Sequence, residues 1–594
     1  MKMPSPPFAQ TFKNFQPLKQ YFLENRWPLA IGLMSLLVVD FSQLLIPLVI
    51  KRAIDLLTVK TATSPILFRQ GMIILGLAFI IALFRYIWRY FIFGHSRKVE
   101  KSLRNRLYGH LQTLSLSFYQ KTKTGDLMAR AINDINAIRM ACGMGLVALT
   151  DGIVLGMTAI GFMMSINLRL TLISLIPAPI IIILSMILTR RMSAGFESVQ
   201  TLFSSLTERV REAFAGIRLV KAYSREPWEY QRVGEQGRRY ILENMRLAKT
   251  LAFFFPMMTV FTNVGLAIVI WLGGRLTILG DITTGDFVAF TSYLNLLTWP
   301  MMALGWVANL IQRGAASMRR INRILDQVPE IKDMAPSRHV TQVRGKIEIK
   351  ALSFMYPGQN HYALKDIRLQ IDPKETVAVV GRVGSGKTTL LHVIPRLLDV
   401  SPGSLCIDGV NIQQIPLSTL RGNIGFVTQE PFIFSDTIRN NVLFGRDGVS
   451  LIDLEAALRA AGILEEIRSL EKGWDTVLGE RGITLSGGQR QRLTVARALI
   501  LDPPILIWDD ALSMVDTRTE QSILNQVLEL RRHKTNIIVS QRVSTISRAD
   551  RIIVLDRGEL VEQGTHEDLL ALNQVYATLY QKQLLAQELQ IGVE

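Results

Sequence analysis

Only two cysteines occur in the 594 residues, Cys142 and Cys406. They fall in segments of opposite character, so no disulfide framework holds this chain, and both read as inert packing residues. Charge is also scarce: 20% of residues are Asp, Glu, Lys or Arg against 49% hydrophobic, and the mean hydropathy is +0.25. That balance excludes a disordered chain and an ordinary soluble one. Met1 to Arg26 lacks an apolar core followed by a small-residue cleavage site, so a cleaved signal peptide is not expected. The length exceeds the roughly 250 to 300 residues that one core serves, which requires at least two domains.

What is abundant is long apolar sequence, and it is confined to the first half. Stretches of about 20 residues, enough to cross a bilayer core, recur near 28–50, 70–94, 144–165, 169–188, 250–272 and 286–311. Pro177 and Pro179 in the fourth, Pro256 in the fifth and Pro300 in the sixth predict kinks. Lysine and arginine total 67 against 49 acidic residues, a formal net charge of +18. The excess gathers in two long segments, one between the second and third spans and one between the fourth and fifth. Both are therefore predicted on the cytosolic side with both termini. Topology thus accounts for the charge, and no nucleic-acid partner is expected. Lys51, Arg52, Lys60 and Arg69, assigned to the first external loop, weaken this asymmetry without reversing it.

Apolar residues at helical spacing, Val99, Leu103, Leu107, Leu111 and Leu114, predict that the second span continues as a helix beyond the bilayer. Turns are predicted at Thr124-Gly125-Asp126 and at Ala222–Trp228. Asp40, Arg85, Arg89 and Asp151 stand within or beside spans. They should face the bundle interior or an aqueous cavity, either to contact a polar substrate or to pair with one another. Trp299, Met301, Met302 and Trp306 in the sixth span leave two readings open as well, an adaptable apolar surface for varied ligands or ordinary helix packing.

From Arg320 to Arg344 the chain turns polar and acquires Pro329 and Pro336, which marks a linker. Beyond it, a first strand is predicted near Lys346–Ala351, and Val377–Gly381 reads as a buried strand. That strand runs into Gly381-Arg-Val-Gly384-Ser385-Gly386-Lys387-Thr388, a G-x-x-x-x-G-K-[ST] loop at a strand-to-helix junction. Its glycines let backbone amides close around phosphate, Lys387 reaches the β and γ phosphates, and Thr388 offers a hydroxyl to Mg²⁺. A second apolar strand, Ile505–Trp508, ends in Asp509 and Asp510, the first placed to hold Mg²⁺ and the second beside the attacking water. Between them, Leu485-Ser486-Gly487-Gly488-Gln489 precedes a helix predicted to start near Arg490, a helix terminus that presents donors to an anion.

These three motifs in this order resemble an ATP-binding cassette (ABC) half-transporter of the exporter class, over essentially the whole chain. The resemblance implies an α-helical transmembrane domain of six helices with long cytosolic extensions, fused to an α/β P-loop nucleotide-binding domain. The corresponding bounds are a cytosolic N-terminal elbow at 1–27, the transmembrane domain with two cytosolic coupling turns at 28–320, a linker at 321–343 and the nucleotide-binding domain at 344–594. It further implies ATP and Mg²⁺ as ligands. Tyr356 would stack on adenine, Thr389 would join the phosphate loop, and Gln429 would sense the metal. Thr476–Gly482 matches the X-loop, and Ser513–Asp516 matches the D-loop at a dimer interface. The nucleotide would lie between two such domains, with Ser486, Gly487, Gly488 and Gln489 of one facing the P-loop of the other.

Two positions depart from the active pattern. Asp510 stands where a catalytic glutamate is expected, and Gln541 where a switch histidine is expected. An aspartate is one methylene shorter, and a glutamine neither titrates nor carries charge. The expectation is an ATP-driven multidrug-type exporter of hydrophobic or amphipathic compounds, multi-pass in a bacterial inner membrane, with its nucleotide-binding domain in the cytosol. It would work as a heterodimer with a homologous half-transporter that brings the competent site. Alternatives are a lipid flippase, an ATP-gated channel or regulatory subunit, and a slow homodimeric exporter.

Overall fold

A helix must satisfy every backbone group internally to cross hydrocarbon, and among the described residues six helices are long and apolar enough to do so. They are Arg26–Thr58, Ser64–Thr113, Thr124–Ile166, Leu168–Ala215, Thr262–Leu279 and Thr284–Leu325. The computed structural model describes residues 14–333, 343–479, 482, 485–540 and 542–591. The chain divides into two units, Met1–Thr113 with Thr122–Gln327, and Leu114–Lys121 with Val328–Glu594. The second unit thus includes part of the first cytosolic segment.

The spans continue as helices well past the apolar stretches, and Pro177–Ala215, at 39 residues, is about 58 Å long. Val99, Leu103 and Leu107 are each buried, which gives the cytosolic extension of the second span its packed face. Two short helices lie at the cytosolic turns, α1 (Leu116–Lys121) and α2 (Ile217–Ala222).

Two expectations change here. Pro177 does not kink a continuous helix. The fourth span breaks after Ser174 and Pro177 opens the next helix, where its missing N–H costs nothing. Pro256 and Pro300 lie inside continuous helices. Lys51 and Arg52 sit within the first helix, and Arg69 within the second, rather than in a loop. Lys51 is paired with Asp286 at 2.6 Å, and Asp55 accepts from the Gly285 amide at 2.8 Å. One of the four basic residues that blurred the charge asymmetry, Lys51, is therefore neutralised at the start of the sixth span. Asp40 is fully buried, whereas Arg85 and Arg89 lie on the surface of this chain.

The second unit holds two sheets. Strands β1 (Ile347–Phe354), β2 (Leu364–Ile371), β4 (Leu405–Ile407) and β5 (Val410–Asn411) form an antiparallel sheet ordered β2-β1-β4-β5. A six-stranded sheet is ordered β10-β9-β3-β8-β7-β6, from β3 (Thr376–Gly381), β6 (Ile424–Val427), β7 (Ile505–Asp509), β8 (Thr535–Val539), β9 (Arg551–Asp556) and β10 (Glu559–Gly564). Its β9-β3-β8-β7-β6 portion is parallel. Every residue of β7 and β8 is buried, as a parallel strand covered on both faces requires. Three helices matter below: α3 (Lys387–Val393), α4 (Gly487–Leu499) and α5 (Thr517–Leu530).

Candidate nucleotide site

Parallel strands bring their carboxyl ends to one edge of the sheet, the edge at which open α/β folds bind ligands. Here β8 lies between β3 and β7, with Val379 and Asp509 both in register with Val539. The P-loop leaves β3, Asp509 and Asp510 end β7, and Gln429 follows β6 by two residues. Three segments far apart in sequence thus meet at that edge. Gln541, two residues past β8, lies outside the described residues, as do Glu480 and Arg481 of the X-loop and the side chain of Met302.

The P-loop takes its shape from glycine. Gly386 has φ +99, and a Cβ there would stand 2.5 Å from the Ala363 carbonyl oxygen, so neither conformation nor space admits a side chain. Lys387 Nζ donates to the carbonyls of Gly381 and Arg382, both at 2.8 Å. Burial pulls its ammonium below the usual lysine range, and Asp509 and Asp510 partly restore it. The Thr388 hydroxyl donates to Asp509 Oδ1 at 3.3 Å. Asp509 is buried, which pushes its carboxyl above the usual range, while Thr388 holds it back. Ser385 Oγ is buried with no hydrogen-bond partner among the described residues. A buried hydroxyl without a partner, an ammonium and a hydroxyl–carboxylate pair fit a polyphosphate with a divalent cation. Gly381 and Gly384 complete the loop. Tyr356 is half-buried, edge-on to Phe354, and its hydroxyl lies 3.2 Å from Thr389 Oγ1.

The signature segment is a helix start. Ser486 caps α4: its Oγ accepts from the Gln489 amide at 3.2 Å, and Gln489 Oε1 accepts from the Ser486 amide at 2.8 Å. The helix therefore begins at Gly487, earlier than expected from the apolar period. The Gln489 amide group also donates to Glu466 at 2.8 Å, so this side chain serves the cap. Gly487 and Gly488 lie against Met514, where a Cβ would come within 2.9 Å of its sulfur and 3.1 Å of its carbonyl oxygen. Fully buried Gln491 donates to Ser513 Oγ at 3.1 Å and accepts from the Met514 amide at 2.8 Å. These bonds fasten the signature helix to the Ser513–Asp516 turn, and Asp516 in turn caps α5 through the Thr519 amide at 2.9 Å.

Asp510 adopts φ +48, a left-handed conformation uncommon for a residue with a side chain, and its amide donates to Val539 O at 3.0 Å. Behind it is a network that the sequence did not announce. Glu520, on α5 and buried, accepts from Thr545 Oγ1 at 2.8 Å and pairs with Arg542, which also donates to Val515 O at 2.9 Å. Arg542 follows the switch position, so its bond to the Val515 carbonyl joins this segment to the Ser513–Asp516 turn and its ion pair joins it to α5. Burial pushes the Glu520 carboxyl above its ordinary value of 4.5, with Thr545 and Arg542 pulling it back.

Arg542→Ala is expected to destabilise the nucleotide-binding domain by about 3 kcal/mol near pH 7, because it strands a buried carboxylate. Glu520 then titrates higher still. A carboxyl raised in the folded state contributes stability below its unfolded pKa and loses it as pH rises. The deficit relative to wild type should therefore shrink from pH 8 toward pH 5, as thermal melts across that range would show.

A P-loop ATP-binding unit and six membrane-crossing helices in one polypeptide define a membrane-embedded transport ATPase. Residues 29–301 match the ABC transporter transmembrane region and 364–513 the ABC transporter domain. The chain is 36% identical over 582 residues to the probable multidrug resistance ABC transporter ATP-binding/permease protein YheI of Bacillus subtilis (strain 168), spanning 96% of this chain and 98% of that protein. It is 37% identical over 487 residues to an ATP-dependent lipid A-core flippase of Syntrophus aciditrophicus (strain SB), spanning 82% and 81%. The solved structure of a bacterial Atm1-family ABC exporter with ATP bound matches with a TM-score of 0.77 at 28% identity, over 94% of this chain and 99% of that one. The chain belongs to the ABC transporter family and has the exporter fold.

Proposed function

We propose that this chain is one half of a heterodimeric ATP-driven exporter of hydrophobic or amphipathic small molecules, and that it carries the hydrolysis-impaired site. The observation that carries the proposal is Asp510, directly after Asp509 at the end of β7, where the family pattern has glutamate. ATP would be held by Tyr356, Gly381, Gly384, Ser385, Gly386, Lys387, Thr388 and Thr389, with Mg²⁺ on Thr388, Gln429 and Asp509. The cation supplies charge neutralisation across the phosphates. With a shortened carboxylate at 510 and an amide at 541, this chain's own residues bind and orient nucleotide without drawing a proton from water efficiently. Ser486, Gly487 and Gly488 would complete the partner's site, with Asp516 at the interface between the two domains.

The substrate class draws support from a cavity of about 900 Å³ on the membrane unit. Phe196, Leu251 and Trp306 line it beside Gln200 and Asn309 and one charge of each sign, Glu197 and Arg313, a mixed wall suited to an amphipathic compound. The multidrug-resistance name of the YheI relative points the same way, while the lipid A-core flippase relative favours lipid as a second reading. Inside-out vesicles holding the chain and its partner decide between them. ATP-dependent accumulation of a lipophilic dye above equilibrium supports export, whereas directional movement of labelled lipid without dye uptake supports the flippase. Dissipation of a gradient without accumulation would make it a channel.

A further inference from the structure

The phosphate loop and the first cytosolic turn are connected by a run of side-chain bonds that no motif announces. Helix α3 begins at Lys387 and ends at Val393, and the Arg396 amide donates to the Val393 carbonyl at 2.9 Å. Arg396 is held in a left-handed conformation, φ +54, and its side chain is only 1% exposed. A buried guanidinium needs all its donors used. It forks onto Asp399 at 3.1 and 3.2 Å and donates through Nη1 to the Lys332 carbonyl at 3.1 Å. One residue on, Asp333 Oδ1 accepts from the Leu417 amide at 2.7 Å. The segment that follows the sixth span is thereby pinned to the end of the P-loop helix.

Its other end grips the cytosolic turn. Glu330 accepts from Ser115 Oγ at 2.9 Å and from Ser117 Oγ at 2.5 Å, and the two hydroxyls lie 2.9 Å apart. These serines flank the start of α1, in the segment Leu114–Lys121 that belongs to the same unit as the nucleotide-binding domain. The hydroxyls hold the Glu330 carboxyl below its usual range. From Glu330 to Asp333 the backbone reaches at most about 10 Å, too short to absorb a displacement of one end without moving the other.

We infer that Glu330–Asp333 is a strap that transmits the state of the P-loop helix to the first cytosolic turn, with Arg396 and Glu330 as its two positioning residues. This rests on the reading that the P-loop binds ATP, and it is independent of which compound is exported. An isolated surface carboxylate on two serines would be of little consequence. This one is different because its neighbours in sequence are bonded to a buried arginine at the end of the phosphate-binding helix. A route of this kind stands only on measured coupling, not on adjacency.

The test is hydrogen exchange of residues 114–121 in the full transporter in nanodiscs, with and without MgATP. Wild type is expected to show at least about fivefold slower exchange there on MgATP addition. Glu330→Gln and Ser115→Ala/Ser117→Ala should each reduce that response below about twofold with unchanged affinity for a fluorescent ATP analogue. The triple variant should lose no more than either, because all three act through one contact. Asp333→Ala, which removes the acceptor of the Leu417 amide at the opposite end, should weaken the response in the same direction without touching the serines. A wild-type turn that ignores MgATP, a response that survives Glu330→Gln, or a loss matched by lost nucleotide affinity would each overturn the strap. A protein that passes this test yet moves no dye or lipid in vesicles would sink the transport reading and leave the strap standing.

Discussion

If the proposed heterodimer holds, changing the proposed partner's catalytic glutamate to glutamine is expected to lower the ATPase rate of the assembled transporter by about 10²- to 10⁴-fold, the usual worth of a positioned general base. Asp510→Asn in this chain is expected to change it less than about twofold, since a group that contributes little to the transition state costs little to remove. The asymmetry follows from geometry at the end of β7. Asp509 is buried and bonded to Thr388, and the backbone turns left-handed at Asp510, whose amide is fixed on Val539. With the main chain held there, shortening the side chain by one methylene retracts the carboxylate instead of letting the backbone advance it. The converse should hold: Asp510→Glu with Gln541→His, which restores reach and a titratable partner, is expected to give this chain's site at least about tenfold faster turnover when the partner's glutamate is disabled. Equal losses from the two single-site variants would show a symmetric engine.

The extent to which all this is legible in sequence depends on how far apart the interacting residues lie. Gly381–Thr388 is one turn after one strand, and its residue types state its chemistry, so the loop can be read without a fold. Asp509 is legible for the same reason, as a carboxylate that ends an apolar run. The start of α4 was placed late because paired glycines depress helix propensity, yet Ser486 and Gln489 at N-cap and N3 carry the capping-box signal that places it correctly. Lys51 reads as a loop residue because charge ends an apolar stretch, but a helix outlasts its apolar stretch where an acid on another span neutralises the charge, here Asp286. Glu520 with Arg542, and Glu330 with Ser115 and Ser117, lie beyond sequence reading altogether. Each joins residues 22 or more apart through contacts that only the folded chain creates, and none recurs at a helix or strand period. Arg396 is the sharpest case, because an arginine outside any motif reads as solvent-facing until its fully buried fork onto Asp399 is seen.

The second large effect concerns what this chain gives away. Gly488→Asp is expected to lower ATPase of the assembled transporter by about 10²-fold or more, while nucleotide binding at this chain's own Lys387 stays within about twofold of wild type. The corresponding substitution in the proposed partner's signature should leave most of the activity, since it would face the site proposed to hydrolyse slowly. Two physical terms act together at Gly488. A Cβ would lie 3.1 Å from the Met514 carbonyl, tight enough to displace the Ser513–Asp516 turn that Gln491 fastens to α4. The added carboxylate would also stand at a helix start proposed to face the partner's phosphates, opposing their charge where amide donors are needed. Gly488→Ala separates the terms: it brings the contact without the charge, and its loss should be the smaller. Binding of a fluorescent ATP analogue together with steady-state ATPase reads both quantities on the same preparation. If Gly488→Asp reduces nucleotide affinity and turnover in parallel, the signature serves this chain's own fold and not the site across the interface.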